Sequence, residues 1–188
     1  MLYNNDIYDL SFVRFDIEEL LIAYIELLDM IGHSDGLVKA ISLNKIPNND
    51  IADQRGIFWI KNEDYREVQR EKLVDEKIYT ELIPEIKNTY LETVYNKISE
   101  YFNLGRLRIL LLEPRNCLSY HRDPEARLHI PILTNPGCLF IADNFCTHLP
   151  ANGTVYYANT RRYHTALNGG ETNRVHLVAT VLGTKEIF

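Results

Sequence analysis

Hydrophobic positions change their period near the middle of the chain. From Asp16 to Ile31, apolar residues fall at 20, 21, 24, 25, 27, 28 and 31, the stripe of an amphipathic helix. Asp16 is placed to cap it and Gly32 to stop it. A second stripe, from Ile86 through Leu91, Val94 and Ile98 to Phe102, predicts a helix from about Pro84 to Phe102, ended by Gly105. Proline suits a first helical turn, where its missing N–H costs nothing. The heavily charged stretch 65–82 reads as a further helix. Asn44 to Gly56 (NKIPNNDIADQRG) reads as a loop, and the apolar Ile57-Phe58-Trp59-Ile60 after it as an edge strand.

From residue 106 the period becomes 2. Strands are expected over 106–112, 128–133, 137–142, 154–159 and 174–182. Turn signals separate them at Asn135-Pro136-Gly137, Asn152-Gly153 and Asn168-Gly169-Gly170. Short strands with such turns indicate a sandwich or jelly roll. Two strands have unlike faces. Over 174–182 one face reads Arg174, His176, Val178, Thr180 and the other Val175, Leu177, Ala179, Val181. Over 127–133, Arg127 and His129 lie opposite Leu128, Ile130 and Ile132. The apolar faces offer the surface that the helices need to cover. The Arg/His faces point either to solvent or into a barrel cavity.

Composition narrows the picture. At 188 residues and 46% hydrophobic content, the chain suits one core, so 1–188 reads as a single domain. Within it, 1–105 is expected to be mainly helical and 106–188 to form a β core. No basic-led apolar run opens the sequence, and the early run Leu20–Ile25 is too short to span a bilayer. Three cysteines (Cys117, Cys138, Cys146), an odd number without CxxC spacing, fit reduced and buried thiols in a cytoplasmic protein. The formal charge of −6 is unevenly spread. Residues 106–188 are net basic through eight arginines and one lysine. Arginine grips carboxylate or phosphate with a two-pronged fork, so this bias hints at an anionic small ligand. Solvated strand-edge charges would give the same count. An acidic chain without a basic run is not expected to bind nucleic acid.

The chemistry is concentrated in SYHRDPEARLHIP, residues 119–131. His121 and Asp123 are two apart, so in extended backbone they point to the same side. They are two-thirds of the 2-His-1-carboxylate triad that holds non-haem Fe(II) with open positions. An HxD pair alone also occurs as a surface ion pair. His164, at a strand start before the Asn168-Gly169-Gly170 turn, is the candidate third ligand. Arg174, ten residues later, is placed to anchor the far carboxylate of a chelating dicarboxylate such as 2-oxoglutarate. Other residues have blander readings. His148 reads as a loop histidine, His33 as a cation after a helix end, and Arg122, Arg161 and Arg162 as solvated. His176 is either a cavity residue or a satisfied core histidine. Of Tyr156 and Tyr157, one is expected in the core.

Together His121-Arg122-Asp123, Arg127-Leu128-His129-Ile130-Pro131, His164-x9-Arg174 and the ending Arg174-Val175-His176-Leu177-Val178 resemble the aspartyl/asparaginyl β-hydroxylase family. The likeness covers about residues 106 to 182. It implies a double-stranded β-helix of the cupin type, and an Fe(II)- and 2-oxoglutarate-dependent dioxygenase using O2 as cosubstrate. His121, Asp123 and His164 would bind iron, and Arg174 would bind 2-oxoglutarate. Arg127 and His129 would support the cosubstrate's carboxylates, and Ser119 would add a hydrogen bond. The implied reaction hydroxylates an unactivated C–H of an amino acid, or of an Asp/Asn-type residue in a peptide, releasing succinate and CO2. A non-oxidative cupin-type metal enzyme and a catalytically silent ligand-binding module are the alternatives. Residues 44–59 are the candidate loop over the pocket.

Overall fold

The computed structural model describes residues 6–32, 39–48, 58–70 and 75–185. Its first half contributes β1 (Ile7–Arg14), α1 (Ile17–Ile31), β2 (Lys39–Ser42), β3 (Asn44–Lys45), β4 (Phe58–Lys61), β5 (Glu67–Arg70), β6 (Glu81–Leu82) and α2 (Tyr90–Ser99). β7 (Phe102–Leu112), β8 (Asn116–Cys117), β9 (His121–Arg122) and β10 (Ala126–Leu133) follow. The chain ends in β11 (Cys138–Ala142), β12 (Phe145–Thr147), β13 (Thr154–Ala158), β14 (His164–Asn168) and β15 (Arg174–Thr184).

Two antiparallel sheets dominate. The major sheet runs β1-β13-β10-β15-β7-β2, and the minor sheet β12-β11-β14-β9-β4-β5, with β8 beside β14. This is the jelly-roll arrangement expected, with the sheets not closed into a barrel. The alternation of β10 and β15 decides the layering. Leu128, Ile130, Ile132, Val175, Leu177 and Ala179 join Leu20, Leu27, Leu91, Val94 and Ile98 of the helices in one core. The helices therefore cover one face of the major sheet, as predicted. Burying leucines such as Leu20 and Leu27 there contributes roughly 2 kcal/mol each. A smaller cluster (Tyr156 and Ala158 from the major sheet, Phe140, Ala142 and Ala166 from the minor) fills the space between the sheets. Arg127, His129, Arg174, His176 and Thr180 are all buried on the strand faces opposite the helices, which selects the cavity over solvent.

Asp16 caps α1 by accepting from the backbone N–H of Glu18 and Glu19, and Gly32 ends it at φ +67°. Within its stripe Ile25 and Ile31 remain exposed. The second helix is shorter than its stripe. A 3-10 turn spans Pro84–Ile86, Asn88 takes φ +62°, and α2 starts only at Tyr90. Phe102 already belongs to β7, so Gly105 lies inside a strand instead of ending a helix. A Cβ there would stand 2.8 Å from the carbonyl oxygen of Glu76, so glycine is what lets the two backbones meet.

The predicted helix over 65–82 does not form in the described residues. Glu67–Arg70 pairs with β4, Glu76–Ile78 is a 3-10 turn, and Glu81–Leu82 pairs with Asn44–Lys45. Charge without a helical apolar stripe carried no helix signal of its own. β4 is interior, between β9 and β5, and the charged β5 takes the edge. Most of the predicted 44–56 loop, and Ile57 and His33, lie outside the described residues. β1 and β2 were not anticipated. In β1 every third residue is buried, and its register with β13 shifts between Asp9 and Arg14, which hides the period of 2. Cys117 and Cys146 are exposed, which corrects the expectation of buried thiols, and only Cys138 is buried. Tyr156 is the core tyrosine, while Tyr157 stacks on Tyr8. No described helix is long and apolar enough to cross a membrane.

Gly153 joins the two halves. It has φ +80°, its carbonyl accepts from Phe15 N–H at 2.9 Å, and a Cβ would fall 1.9 Å from the Phe15 carbonyl oxygen. Gly153→Ala is expected to destabilise the protein by about 2 kcal/mol or more, through left-handed strain and the clash. An unchanged urea midpoint would contradict this account of the junction.

Candidate metal centre

β9 and β14 pair at a single register point, His164 opposite His121, which puts the two rings 4.3 Å apart. Asp123 follows on a turn fixed from both sides. Its N–H donates to Thr160 O at 2.8 Å, and the Thr160 hydroxyl donates to Glu125 O at 2.6 Å. Ligand atoms of His121, Asp123 and His164 consequently lie within 4.8 Å of one another. The two imidazoles are oriented alike. His121 Nδ1 meets Ser119 O at 2.6 Å, and His164 Nδ1 meets Arg162 O at 3.0 Å, each the carbonyl two residues back. Donation from Nδ1–H to these carbonyls leaves Nε2 as the metal-facing nitrogen. Ser119 itself is exposed, and it is its backbone that acts on the site. Two neutral imidazoles and a carboxylate are the donor set of a facial Fe(II) site.

Arg127 lies beside the carboxylate. Its Nε is 3.3 Å from Asp123 Oδ2, and other guanidinium nitrogens are 3.6 Å from Glu125 and 3.7 Å from Glu76. Burial pushes its pKa down, but these three carboxylates outweigh that and raise it. Of the buried arginines, Arg106 is likewise paired, at 2.8 Å from Glu76. Arg174 is different. Among the described residues its polar contact is Nη2 to His176 Nδ1 at 3.0 Å, and no carboxylate pairs with it. Burial lowers its pKa to about 10, which still leaves it cationic at neutral pH.

Thr134, Cys138, Phe140, Leu149 and His176 surround a narrow gap beside Arg174, with no room for a water molecule as it stands. Phe140 links it to the candidate ligands, stacking on His164 at 5.6 Å, and meets His129 edge-on at 5.3 Å. Both ring nitrogens of buried His129 lack hydrogen-bond partners among the described residues, as does His176 Nε2. Orphaned polar atoms at this depth are costly unless something else satisfies them. An unpaired cation and orphaned imidazoles beside a three-ligand cluster fit a chelating dicarboxylate.

The family model for aspartyl/asparaginyl beta-hydroxylase matches residues 79–183. The chain belongs to this family. It is accordingly an Fe(II)- and 2-oxoglutarate-dependent oxygenase of hydroxylase type. No curated protein matches the chain. Among solved structures, IDO from Bacillus thuringiensis is similar over 97% of this chain and 91% of its own, with 11% identity and a TM-score of 0.51. That likeness shows the shared fold. The 2-oxoglutarate complex of a viral collagen prolyl hydroxylase from Paramecium Bursaria Chlorella virus-1 has 11% identity and a TM-score of 0.49, covering 95% of this chain and 96% of its own. An oxidoreductase of the 2OG-Fe(II) oxygenase family from Burkholderia pseudomallei has 14% identity and a TM-score of 0.49, covering 85% and 76%.

The structure thus brings together His121, Asp123 and His164, and places Arg174 beside them with His176, while His129 packs against Phe140 and His176. Three expected bystanders are engaged elsewhere. Arg122 pairs with Glu67 through two bonds (2.8 and 2.6 Å) and lies over Trp59, instead of being solvated. Arg161 meets Asn159, and His148 Nδ1 meets Cys138 O at 2.8 Å. Sequence reasoning missed Glu76 and Phe140. Phe140 shares a strand face with Cys138 and Ala142, but nothing in the residue type separates a ring beside a ligand from a core ring.

Burial is the main cause that lowers the pKa of His164 to about 4, and it lowers His129 and His176 well below the usual value. All three are neutral when folded and chargeable when unfolded, so their contribution is complete above pH 6.5 and is lost as pH falls. Glu125, raised by burial, works in the opposite direction at lower pH. Metal-free protein should therefore lose stability between pH 6.5 and 5, by about 1.4 kcal/mol per pH unit for each histidine fully involved. Urea unfolding across that range is the measurement, and His129→Gln should flatten the slope.

Proposed function

We propose that the protein hydroxylates an unactivated C–H of an amino acid, or of an Asp/Asn-type residue in a peptide, with release of succinate and CO2. His121, Asp123 and His164 hold Fe(II), and Arg174 receives the distal carboxylate of 2-oxoglutarate. The observation that carries this reading is the guanidinium of Arg174, buried beside His176 and paired with no carboxylate of the described residues. Burying an unpaired cation is unfavourable, and an anionic ligand completes the pair. A non-oxidative cupin-type enzyme has no need of such a cation. A silent binding module has no need of three converging ligand side chains.

When bound, the iron and 2-oxoglutarate supply the activation of O2 and the oxidising power for C–H cleavage. The chain supplies orientation. The carbonyls of Ser119 and Arg162 fix the imidazoles, and Asp123 is held on its turn by Thr160. His129, with two unpartnered nitrogens, is the group best placed to hydrogen-bond the cosubstrate near the metal. Arg127 is saturated by carboxylates of the protein, so its part is to hold Asp123. Phe58 meets His121 edge-on at 5.4 Å from β4, an apolar wall on the approach to the ligands. This wall suits the hydrocarbon part of an amino-acid side chain.

Protein loaded anaerobically with Fe(II) should bind 2-oxoglutarate and, on admission of O2, form succinate. Arg174→Ala should weaken 2-oxoglutarate at least about 30-fold, the loss of roughly 2 kcal/mol expected for removing one partner of a buried charge pair, with metal affinity little changed. His164→Ala should abolish metal binding. If metal-loaded protein binds no 2-oxoglutarate, or if Arg174→Ala binds it as well as wild type does, the assignment is wrong.

A further inference from the structure

We propose that Glu76 is a positioning residue for the metal site, acting through Arg127 on Asp123. The proposal rests on the reading of His121, Asp123 and His164 as metal ligands. Glu76 lies upstream of the family match, which begins at residue 79, and on a 3-10 turn far from the ligands in sequence. Its carboxylate is nevertheless buried between β7 and β15. Oε2 accepts from Arg106 N–H at 3.2 Å and from the Thr180 hydroxyl at 3.0 Å. Oε1 accepts from Arg106 Nη2 at 2.8 Å and is 3.7 Å from Arg127 Nη2. Thr180 closes the loop, because its Oγ1 also accepts from Arg127 Nη1 at 2.6 Å.

These contacts hold the far side of the Arg127 guanidinium. With Nη1 and Nη2 held by Thr180 and Glu76, Nε is left to face Asp123 Oδ2 at 3.3 Å. The other carboxylate oxygen, Oδ1, is the one turned to His121 Nε2, at 3.7 Å. The two oxygens of Asp123 are thereby divided, one toward Arg127 and one toward the ligand cluster. A carboxylate divided in this way would present a single oxygen to a bound metal. Partners behind a metal ligand set its orientation, and losing one typically weakens metal affinity 10- to 100-fold. Gly105 makes the arrangement possible by letting the Glu76 backbone approach β7.

The test uses Co(II) as a non-oxidising probe, titrated into the full chain and followed by its visible absorption. Glu76→Gln keeps the shape and removes the charge, and should weaken Co(II) binding roughly tenfold. Arg127→Lys removes the fork and should weaken it at least as much. The two losses should not add, because both act by the same route. Thr180→Val, which breaks the link between them, provides a milder variant should Glu76→Gln fail to fold, and should also weaken Co(II) binding. Wild-type affinity in Glu76→Gln, or a full second loss when it is added to Arg127→Lys, overturns the proposal. A merely structural role would lower the melting temperature while leaving the Co(II) affinity and spectrum of folded protein unchanged, and that result also overturns it. Failure of the metal-ligand reading looks different: wild type would then fail to bind Co(II), or His164→Ala would bind it equally well.

Discussion

A guanidinium taken out of water must meet an anion, and this constraint governs the space between the two sheets. Arg106, Arg127 and Arg174 are all buried there. The first two are met by Glu76, Asp123 and Glu125, while among the described residues Arg174 is met only by a histidine nitrogen. Leaving a buried charge unpaired is the costly case, far more so than an exposed one. Among the described residues the carboxylates are thus gathered on the Asp123 side and absent from the Arg174 side. Phe140 stands between the two, stacked on His164 and beside Arg174.

The constraint reaches back to the sheets. A strand that buries Arg and His on one face can do so only if its other face is packed well enough to hold it. In β10 and β15 that second face is Leu128, Ile130, Ile132, Val175 and Leu177, clamped by α1 and α2. The helices are therefore not an accessory to the β core. They fix the plane of the two strands from which Arg127, His129, Arg174 and His176 project, and so fix the spacing of the polar groups on the hidden side. The register supports this. Leu128 lies opposite Ala179 and His129 opposite Val178, so the apolar and polar faces stay in phase across the pair.

What was legible in the sequence follows the range of the interactions. His121 and Asp123 could be read because spacing two in extended backbone is a local property. Arg127 with His129 and Arg174 with His176 could be read for the same reason. His164, the third member of the cluster with His121 and Asp123, was reachable because strand order confines a downstream histidine to a few places. Where a local signal was blurred, the reading failed. The bulge of β1 masked its alternation, and the charged stretch 65–82 was read as a helix, whereas its described residues form an edge strand, a 3-10 turn and a short strand. Residues 84–102 carried a helical stripe across Asn88, whose left-handed backbone breaks the helix, and no apolar periodicity records a φ value.

Glu76 marks a deeper limit. Its partners stand 30 residues away in Arg106 and 104 away in Thr180. In the sequence, nothing around it distinguishes it from the exposed Glu81 or the half-buried Glu85 nearby. A side chain that binds a ligand must share a strand or a turn with others of its kind, which makes such residues cluster in sequence. A side chain that holds a ligand-binding residue needs only to be close in space, and any packed element can supply it. The groups that bind are therefore written in short motifs, and the groups that aim them are written in the topology.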